Sequence, residues 1–198
     1  MDEINNVPSK TPQQELSEER PAVQRPIWHT LKRMLREGLT TLVPAAVITL
    51  AINAFVAQAM VVEGPSMQPS LYLNERVIVE KVTYRLEHGP QRWDVVTLDL
   101  PGEEEELIKR VVALAGETVE VRDGQVYING QLLVEPQPTR PGGPDYGPMV
   151  VPAEHVFVLG DNRANSRDSR YFGPVPIKRI MARAVLVYWP LDRVKALW

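Results

Sequence analysis

Leu39–Val62 is a stretch of 24 residues without a single ionisable side chain. As an α-helix it would extend ~36 Å, which exceeds the ~30 Å hydrocarbon core of a bilayer. Uncharged helices of that length are uncommon in soluble domains, and Pro44 stands near the start, where proline does little harm. The stretch therefore predicts one transmembrane helix.

The charges that flank this stretch indicate its orientation. Lys32, Arg33 and Arg36 precede it, whereas Glu63 follows it. Because basic residues stay on the cytoplasmic side, we expect a cytoplasmic N-terminus. Residues 1–26 are polar and rich in proline and glutamine, which predicts disorder. The predicted parts are a cytoplasmic tail with a basic collar, a transmembrane helix and an extracytoplasmic domain, at residues 1–38, 39–62 and 63–198.

Ala57-Gln58-Ala59 has the A-x-A pattern of a signal-peptide cleavage site. A cleaved signal peptide is thus the alternative to a retained helix. Against it, the apolar stretch is longer than the usual apolar region of a signal peptide, and its basic flank follows a long tail. Whether the chain itself cuts this pattern stays open.

The residues after the apolar stretch have the composition of β-strands. Four segments are rich in β-branched and aromatic side chains, namely residues 76–82, 93–100, 155–159 and 184–189. Asp123-Gly124 and Asn129-Gly130 are strong hairpin-turn signals within 118–133. No helical pattern of any length follows residue 63, and residues 136–148 read as a Pro/Gly-rich loop. The predicted fold class is mostly β, an antiparallel sheet domain behind the transmembrane helix.

Composition excludes several classes of function. Cysteine is absent, so there is no disulfide, Cys-ligated zinc or cysteine nucleophile. Residues 63–198 carry 16 basic and 19 acidic residues, which is unlike the basic surface of a nucleic-acid-binding protein. The three histidines lack metal-ligand spacing, and we expect neither a metal nor a cofactor. His155 is the one plausible member of a Ser-His-Asp triad.

Ser66 and Lys109 are the candidate nucleophile and base. Ser66 lies four residues after Val62, so an extended chain would hold it within ~14 Å of the membrane surface. A serine hydroxyl needs a neighbouring base. Lysine serves only when neutral, and a pKa lowered by roughly 3 units from ~10.4 requires burial in apolar surroundings. Lys109 stands among Ile108, Val111 and Val112. We expect no carboxylate to touch it, because an ion pair would hold the proton on the amine.

A third segment, Gly160–Arg170, is dense with hydrogen-bonding side chains directly after a predicted strand. It reads either as a polar surface loop or as a buried scaffold of ion pairs and hydroxyls beside the site.

The three segments, in this order behind a basic-flanked apolar stretch, resemble the type I signal peptidases, membrane-bound Ser-Lys enzymes that remove signal peptides from exported precursors. The resemblance covers the apolar stretch and most of residues 60–175. Its motifs are Gly64-Pro65-Ser66-Met67 with Pro69 and Leu71, the strand Arg76–Val79, Ile108–Val112 through Gly116-Glu117, and Gly160–Arg170.

The resemblance implies a role for each matching residue. Ser66 attacks the scissile carbonyl, neutral Lys109 takes its proton, and Ser166 orients the amine. Asp168 and Arg170 form a supporting ion pair. Two further positions of the motif are Asp161 and Arg163.

The oxyanion hole would use the backbone N–H of Ser66. Some relatives add a side-chain hydroxyl two positions earlier, where this chain has Gly64, so the second donor stays open. Ala164 stands where many members have aspartate, which concerns the loop's stability more than the chemistry.

We expect the substrate to be an extended segment of a signal-peptide-bearing precursor, cut after small residues of an A-x-A pattern and added as a strand to a sheet edge. Two small side chains on one side of the peptide need only shallow apolar pockets. The resemblance implies a lining of Met60, Val62, Met67, Leu71, Leu107 and Ile108. The apolar surface around Ser66 would contact the lipid bilayer.

Three alternatives predict different behaviour. A membrane-tethered β-module that binds partners without catalysis predicts that Ser66→Ala and Lys109→Ala leave function unchanged. A His155-dependent hydrolase predicts loss of activity in His155→Ala and a mild effect of Lys109→Ala. A self-cleaving Ser-Lys repressor would be soluble with a DNA-binding domain, which the apolar stretch argues against. No nucleic acid is expected as a partner, and oligomeric state is unknown.

Overall fold

The computed structural model of the protein describes residues 27–86 and 89–197, so the predicted disorder of residues 1–26 lies outside the described residues. The first element is a long helix, α1 (Ile27–Phe55). Its segment Leu31–Asn53 is long and apolar enough to cross a membrane, with a mean hydropathy of 1.4. Pro44 is accommodated within the helix. The prediction of an N-terminal apolar helix is confirmed.

The helix ends seven residues before the predicted limit at Val62. Ala57–Val61 forms a strand, β1, that pairs antiparallel with Arg76–Glu80. Pairing with that strand satisfies those backbone groups of residues 57–61 that face it, in place of the internal hydrogen bonds of a continued helix. Ser66 therefore follows the end of α1 by eleven residues, a reach of up to ~40 Å when extended. The chain length between the helix and Ser66 therefore no longer sets the ~14 Å limit that was expected from Val62.

Among the described residues that follow β1 there are eleven further strands and two helices of four described residues each. The strands are β2 (Arg76–Glu80), β3 (Val95–Leu98), β4 (Leu107–Ala113), β5 (Thr118–Arg122), β6 (Gln125–Ile128), β7 (Gln131–Leu132), β8 (Tyr146–Val150), β9 (His155–Leu159), β10 (Val175–Pro176), β11 (Ile180–Trp189) and β12 (Lys195–Ala196). The helices are α2 (Thr83–Leu86) and α3 (Ser169–Phe172).

The strands form two antiparallel sheets. The larger has the order β1-β2-β11-β3-β4-β9-β10, with β12 paired to β11. The smaller has the order β7-β6-β5-β8. Within the described residues the domain after α1 is thus mostly β and antiparallel, as predicted, and its two longer helical pieces are single turns.

The two predicted hairpin turns are confirmed in the smaller sheet. Asp123-Gly124 joins β5 to β6, and Asn129-Gly130 joins β6 to β7. All four residues have positive φ, from 51° to 78°, which is the conformation required at both central positions of a type I′ turn. One prediction was wrong: strand β8 begins inside residues 136–148, which were expected to be a loop.

Strand β4 crosses the interior and contributes to three hydrophobic clusters. Ile108 packs with Val77, Val95 and Ala182, and Val112 packs with side chains from β5 and β9. Val111 packs on the opposite face, with Val96 and side chains of β9 and β10. Each fully buried valine or isoleucine contributes about 1.5–3 kcal/mol. A lysine in the middle of this strand is consequently surrounded by apolar side chains.

Candidate active site

Ser66 lies in a single 3₁₀ turn, Pro65–Met67, between β1 and β2. Proline at the first helical position favours such a turn, since its fixed φ suits the helix and its missing N–H costs nothing there. The side chain of Met67, fully buried in the core, anchors the turn from below. Gln68 N–H donates to the carbonyl of Pro65 at 3.1 Å and closes it. Ser66 itself stays partly accessible.

Asn162 holds the Ser66 turn from the outside. Its backbone N–H donates to the Ser66 carbonyl at 2.9 Å, and its side-chain amide donates to the Pro65 carbonyl at 3.2 Å. No role for Asn162 itself was predicted from the sequence. The available signal was its position inside the polar segment Gly160–Arg170, but nothing in the pattern paired it with a turn almost a hundred residues earlier.

Lys109 reaches Ser66 from strand β4. Its Nζ lies 3.1 Å from Ser66 Oγ and donates to the carbonyl of Ile108 at 2.9 Å. Only 2% of Lys109 is exposed. The two residues that the sequence selected from segments 43 positions apart are therefore within hydrogen-bond distance.

Burial lowers the pKa of Lys109 to about 8, because an ammonium ion loses its hydration in the interior. The charges of Asp168 and Glu103 act in the opposite direction with a smaller effect. Among the described residues no carboxylate forms an ion pair with the Lys109 amine. The amine can thus exist in its neutral form near neutral pH.

Ser166, predicted to orient the amine, does not hydrogen-bond to Lys109 in this structure. Ser166 is 8% exposed, and its Oγ lacks a partner among the described residues. It packs against Gly160, where a methyl group would overlap both Ser166 Oγ and the Ser66 carbonyl oxygen. Ser166 thus lies beside the backbone of the nucleophile, and glycine is needed at position 160 for this close approach.

Asp168 and Arg170 form a fully buried ion pair. Arg170 Nε donates to Asp168 Oδ1 at 2.9 Å, and Nη2 donates to Oδ2 at 2.9 Å. Asp168 also accepts from the Gly160 N–H at 3.1 Å. Arg170 donates to the carbonyls of Gly142 and Arg163. These contacts satisfy both charges and fix the loop that carries Gly160 and Asn162.

Asp161 and Arg163 each have a partner that sequence reasoning missed. Asp161 receives two hydrogen bonds from Arg110, at 2.9 and 2.7 Å. Arg163 pairs with Glu135 and donates to the carbonyl of Gly160 at 3.0 Å. Since Arg110 follows Lys109 directly, the Arg110–Asp161 pair ties the strand of the base to the segment beside the nucleophile.

A cavity of about 530 Å³ opens at the Ser66–Lys109 pair. Three of the residues expected to bind substrate, Met60, Leu107 and Ile108, line it. The other three do not. Val62, Met67 and Leu71 are at most 1% exposed and lie in the hydrophobic core. The alternation of side chains along the chain explains only part of this division between cavity and core. Met67 is directed inward by the 3₁₀ turn instead.

Gly64 also lines this cavity, and an added Cβ would meet nothing closer than the Ser66 nitrogen at 4.0 Å. Two exposed acids, Glu63 and Glu105, stand at the rim. The neighbouring Glu63 raises the pKa of Glu105 through a hydrogen bond and charge repulsion.

His155, the alternative base, lies elsewhere. It lines a different cavity together with Glu154 and Ile177, and its Nδ1 lies 2.7 Å from the carbonyl of Ala153. No hydrogen bond joins it to Ser66 in the part of the chain that the structure describes.

Comparison with known proteins gives a consistent result. The family model "Signal peptidase, peptidase S26" matches residues 35–189. A signal peptidase I of Leptolyngbya laminosa is 42% identical over 168 residues, which cover 81% of this chain and 82% of the relative. A probable signal peptidase I-2 of Synechocystis sp. is 40% identical over 160 residues, covering 78% and 73%. Signal peptidase I S of Bacillus subtilis is 35% identical over 176 residues, covering 83% and 94%.

The family model spans well over half of the chain, and each of these relatives is covered over more than two thirds of its length. The resemblance seen in the sequence motifs is thereby confirmed. The chain belongs to the type I signal peptidases of family S26, the enzymes that cleave signal peptides from precursor proteins.

Proposed function

We propose that this signal peptidase uses Ser66 as its nucleophile and the neutral amine of Lys109 as its general base. The observation that supports this most directly is the 3.1 Å separation of Lys109 Nζ and Ser66 Oγ in surroundings that lower the pKa of the lysine to about 8. An amine with that pKa is partly neutral at physiological pH, and it is already in position to accept the hydroxyl proton.

The reaction proceeds in two halves. Ser66 Oγ attacks the scissile carbonyl carbon while its proton passes to Lys109 Nζ, and the resulting ammonium returns the proton to the leaving amine as the peptide C–N bond breaks. The signal peptide is then held as an ester on Ser66. Water attacks that ester after giving a proton to the same amine, which releases the carboxylate product and restores the serine hydroxyl.

The backbone N–H of Ser66 would stabilise the oxyanion of each tetrahedral intermediate. It belongs to the first turn of the 3₁₀ helix, where N–H groups have no intrahelical acceptor. The hydrogen bonds from Asn162 to the carbonyls of Ser66 and Pro65 fix this turn before substrate binds. Losing one such donor costs about 3 kcal/mol in other serine enzymes. Gly64 has no side chain to serve as a second donor, so we assign that role to its backbone N–H or to water.

We propose that the cavity selects small side chains, as in the A-x-A pattern. Its apolar wall is provided by Met60, Leu107 and Ile108. β1 is the edge strand of the larger sheet and also contributes Gln58 and Met60 to the cavity. An extended peptide that pairs along this edge would therefore present alternate side chains to the cavity beside Ser66.

We further propose that α1 anchors the enzyme in the bilayer with the N-terminus in the cytoplasm and residues 63–198 outside. The basic side chains of Lys32, Arg33 and Arg36 lie in the first half of the helix, and the segment that follows is uncharged through Asn53 apart from Glu37, which pairs with Arg33. The positive-inside rule then gives this orientation.

The test is hydrolysis of a purified precursor with an A-x-A site by the full-length enzyme in neutral detergent. Ser66→Ala and Lys109→Arg are expected to lose activity by at least about a thousandfold, because the first removes the nucleophile and a guanidinium stays protonated. Lys178→Arg is the matched control, since Lys178 is exposed and remote in sequence from the site, and it should retain full activity. His155→Ala should also remain active.

Activity in Lys109→Arg close to that of the wild type would exclude the neutral-lysine base. Full activity in both Ser66→Ala and Lys109→Ala would show that these residues are not the catalytic pair.

A further inference from the structure

A second cavity, of about 610 Å³, is separate from the cavity at the catalytic pair. Arg110 lines it, whereas its neighbour Lys109 lines the catalytic cavity. The two cavities share no lining residue among those described. Pro69 and Ser70, which follow the nucleophile's turn, form part of the wall.

The charged side chains of this cavity are mostly positive. Arg92, Arg110, Arg183 and Lys195 line it, against a single carboxylate, Asp94, among the described lining residues. The three arginines already have carboxylate partners: Arg110 pairs with Asp161 at 2.7 Å, Arg183 with Glu80 at 3.1 Å, and Arg92 with Glu117.

Lys195 differs from the arginines, because it forms no ion pair within residues 27–86 and 89–197. Its amine donates to the carbonyl of Ser70. Burial lowers its pKa, Glu75 raises it, and Arg193 and Arg110 lower it further. An ammonium ion has three donors, so Lys195 can donate to a second oxygen without losing its contact with Ser70.

Two polar atoms at the same cavity lack partners among the described residues. Ser70 is 8% exposed, and its Oγ makes no hydrogen bond. The side-chain oxygen of Gln137 is also unpartnered. Most buried polar groups in native proteins are hydrogen-bonded, and an exception requires an explanation. The ammonium of Lys195, beside this buried hydroxyl on the cavity wall, is a donor from which an oxyanion can accept a hydrogen bond.

The rest of the wall is apolar. It includes Trp93, Pro136, Pro138 and Leu197. A phosphate or carboxylate group alone would fill a small part of about 610 Å³. The lining therefore suits a molecule with one anionic end and an apolar body.

We propose that this cavity is a binding site for an amphiphilic anion. Its phosphate or carboxylate group contacts the Lys195 ammonium, and its apolar body lies against Trp93 and Leu197. This site is independent of the Ser66–Lys109 chemistry, although Arg110 and Ser70 connect it covalently to the segments that carry that pair.

Calorimetric titration of the full-length enzyme with hexyl phosphate tests the proposal. The protein would carry Ser66→Ala, to prevent self-cleavage, and would be held in neutral detergent. We expect one saturable site, and Lys195→Gln should weaken binding at least about tenfold, as loss of a charge-assisted hydrogen bond requires. Lys178→Gln is the matched control and should leave the dissociation constant unchanged.

Further probes separate the two ends of the ligand. Hexanol at the same concentration should not bind, and inorganic phosphate should bind at least about tenfold more weakly than hexyl phosphate. Equal affinity for inorganic phosphate would overturn the apolar part of the proposal. Binding that Lys195→Gln leaves unchanged, or equal binding of hexanol, would overturn the anionic part.

If Lys195→Gln does not fold, a second variant tests whether the ligand binds in this cavity. Ala196 is exposed in the edge strand β12 and lines the cavity, so Ala196→Trp fills space without altering charge. It should retain the wild-type melting temperature and lose hexyl phosphate binding. Undiminished binding in this variant would place the ligand elsewhere.

Discussion

Replacing Lys109 by methionine is expected to stabilise the protein at pH 7 while abolishing its activity. The burial that makes the amine a base also makes its protonated form costly. Its pKa of about 8 lies 2.5 below the ordinary 10.5. At 1.36 kcal/mol per pKa unit, the folded state carries a penalty of about 3 kcal/mol when the amine is protonated.

Methionine has a similar volume and no charge, so it removes this penalty. The comparison is best made in a Ser66→Ala background, which excludes self-cleavage and the contact with Ser66 Oγ in both proteins. Methionine still loses the hydrogen bond to the Ile108 carbonyl, worth about 1 kcal/mol. The net stabilisation is then about 2 kcal/mol, or a rise in melting temperature of about 4–8 °C for a domain of this size.

The pH dependence distinguishes this cause from any other. Because the folded pKa is below the unfolded one, the lysine protein gains stability as pH rises from about 8 toward 10.5, by up to about 1.4 kcal/mol per pH unit. The advantage of methionine should therefore be full below pH 8 and nearly gone by about pH 10.

Thermal denaturation in neutral detergent at pH 7, 8, 9 and 10 measures both effects. Lys178→Met, at an exposed position, is the control and should show neither a shift nor this pH dependence. A methionine variant that is less stable at pH 7, or a difference that does not change with pH, would refute the idea of a buried amine with a lowered pKa.

Further predictions concern the same site. The kcat/KM for precursor cleavage should rise with pH through about 8, because only the neutral amine of Lys109 accepts a proton; a flat profile from pH 5 to 9 would contradict this. Gly160→Ala should lower kcat at least about tenfold, since the methyl group overlaps the nucleophile's carbonyl oxygen, and unchanged kinetics would rule out that close packing. Arg170→Met leaves the Asp168 carboxylate buried and unpaired, so chemical denaturation should show a loss of about 3–5 kcal/mol. Asn162→Ala should cost about 1 kcal/mol of stability and lower kcat more than it raises KM, because its side chain fixes the turn rather than the substrate.

Some of the protein could be predicted because the responsible interactions are local. The hairpin turns at Asp123-Gly124 and Asn129-Gly130 depend on the φ preferences of their own residues. The apolar helix depends on a composition that no neighbour needs to complete. Its end was wrong by seven residues because Ala57–Val61 acquires a partner, β2, that lies fifteen or more residues further along the chain.

The arrangement of side chains in the site was harder to predict from the sequence. The residue types at Ser66 and Lys109 indicated their pairing, yet Val62, Met67 and Leu71 were assigned to the cavity although they face the core. No role was predicted for Arg110 or Asn162, because each acts through a contact with a segment that is distant in the chain. Ser166 was predicted to orient the Lys109 amine, but its hydroxyl lies against Gly160.

The sequence alone determined that this chain has an apolar helix, a β domain and a serine and a lysine suited to proteolysis, because composition, turn chemistry and motif order are properties of neighbouring residues. The three-dimensional structure was needed to show that the lysine amine is buried and 3.1 Å from the serine hydroxyl, and that Arg110 lines a second cavity. Burial and distance arise from strands far apart in the chain, and a charged group's pKa follows from what those strands place around it.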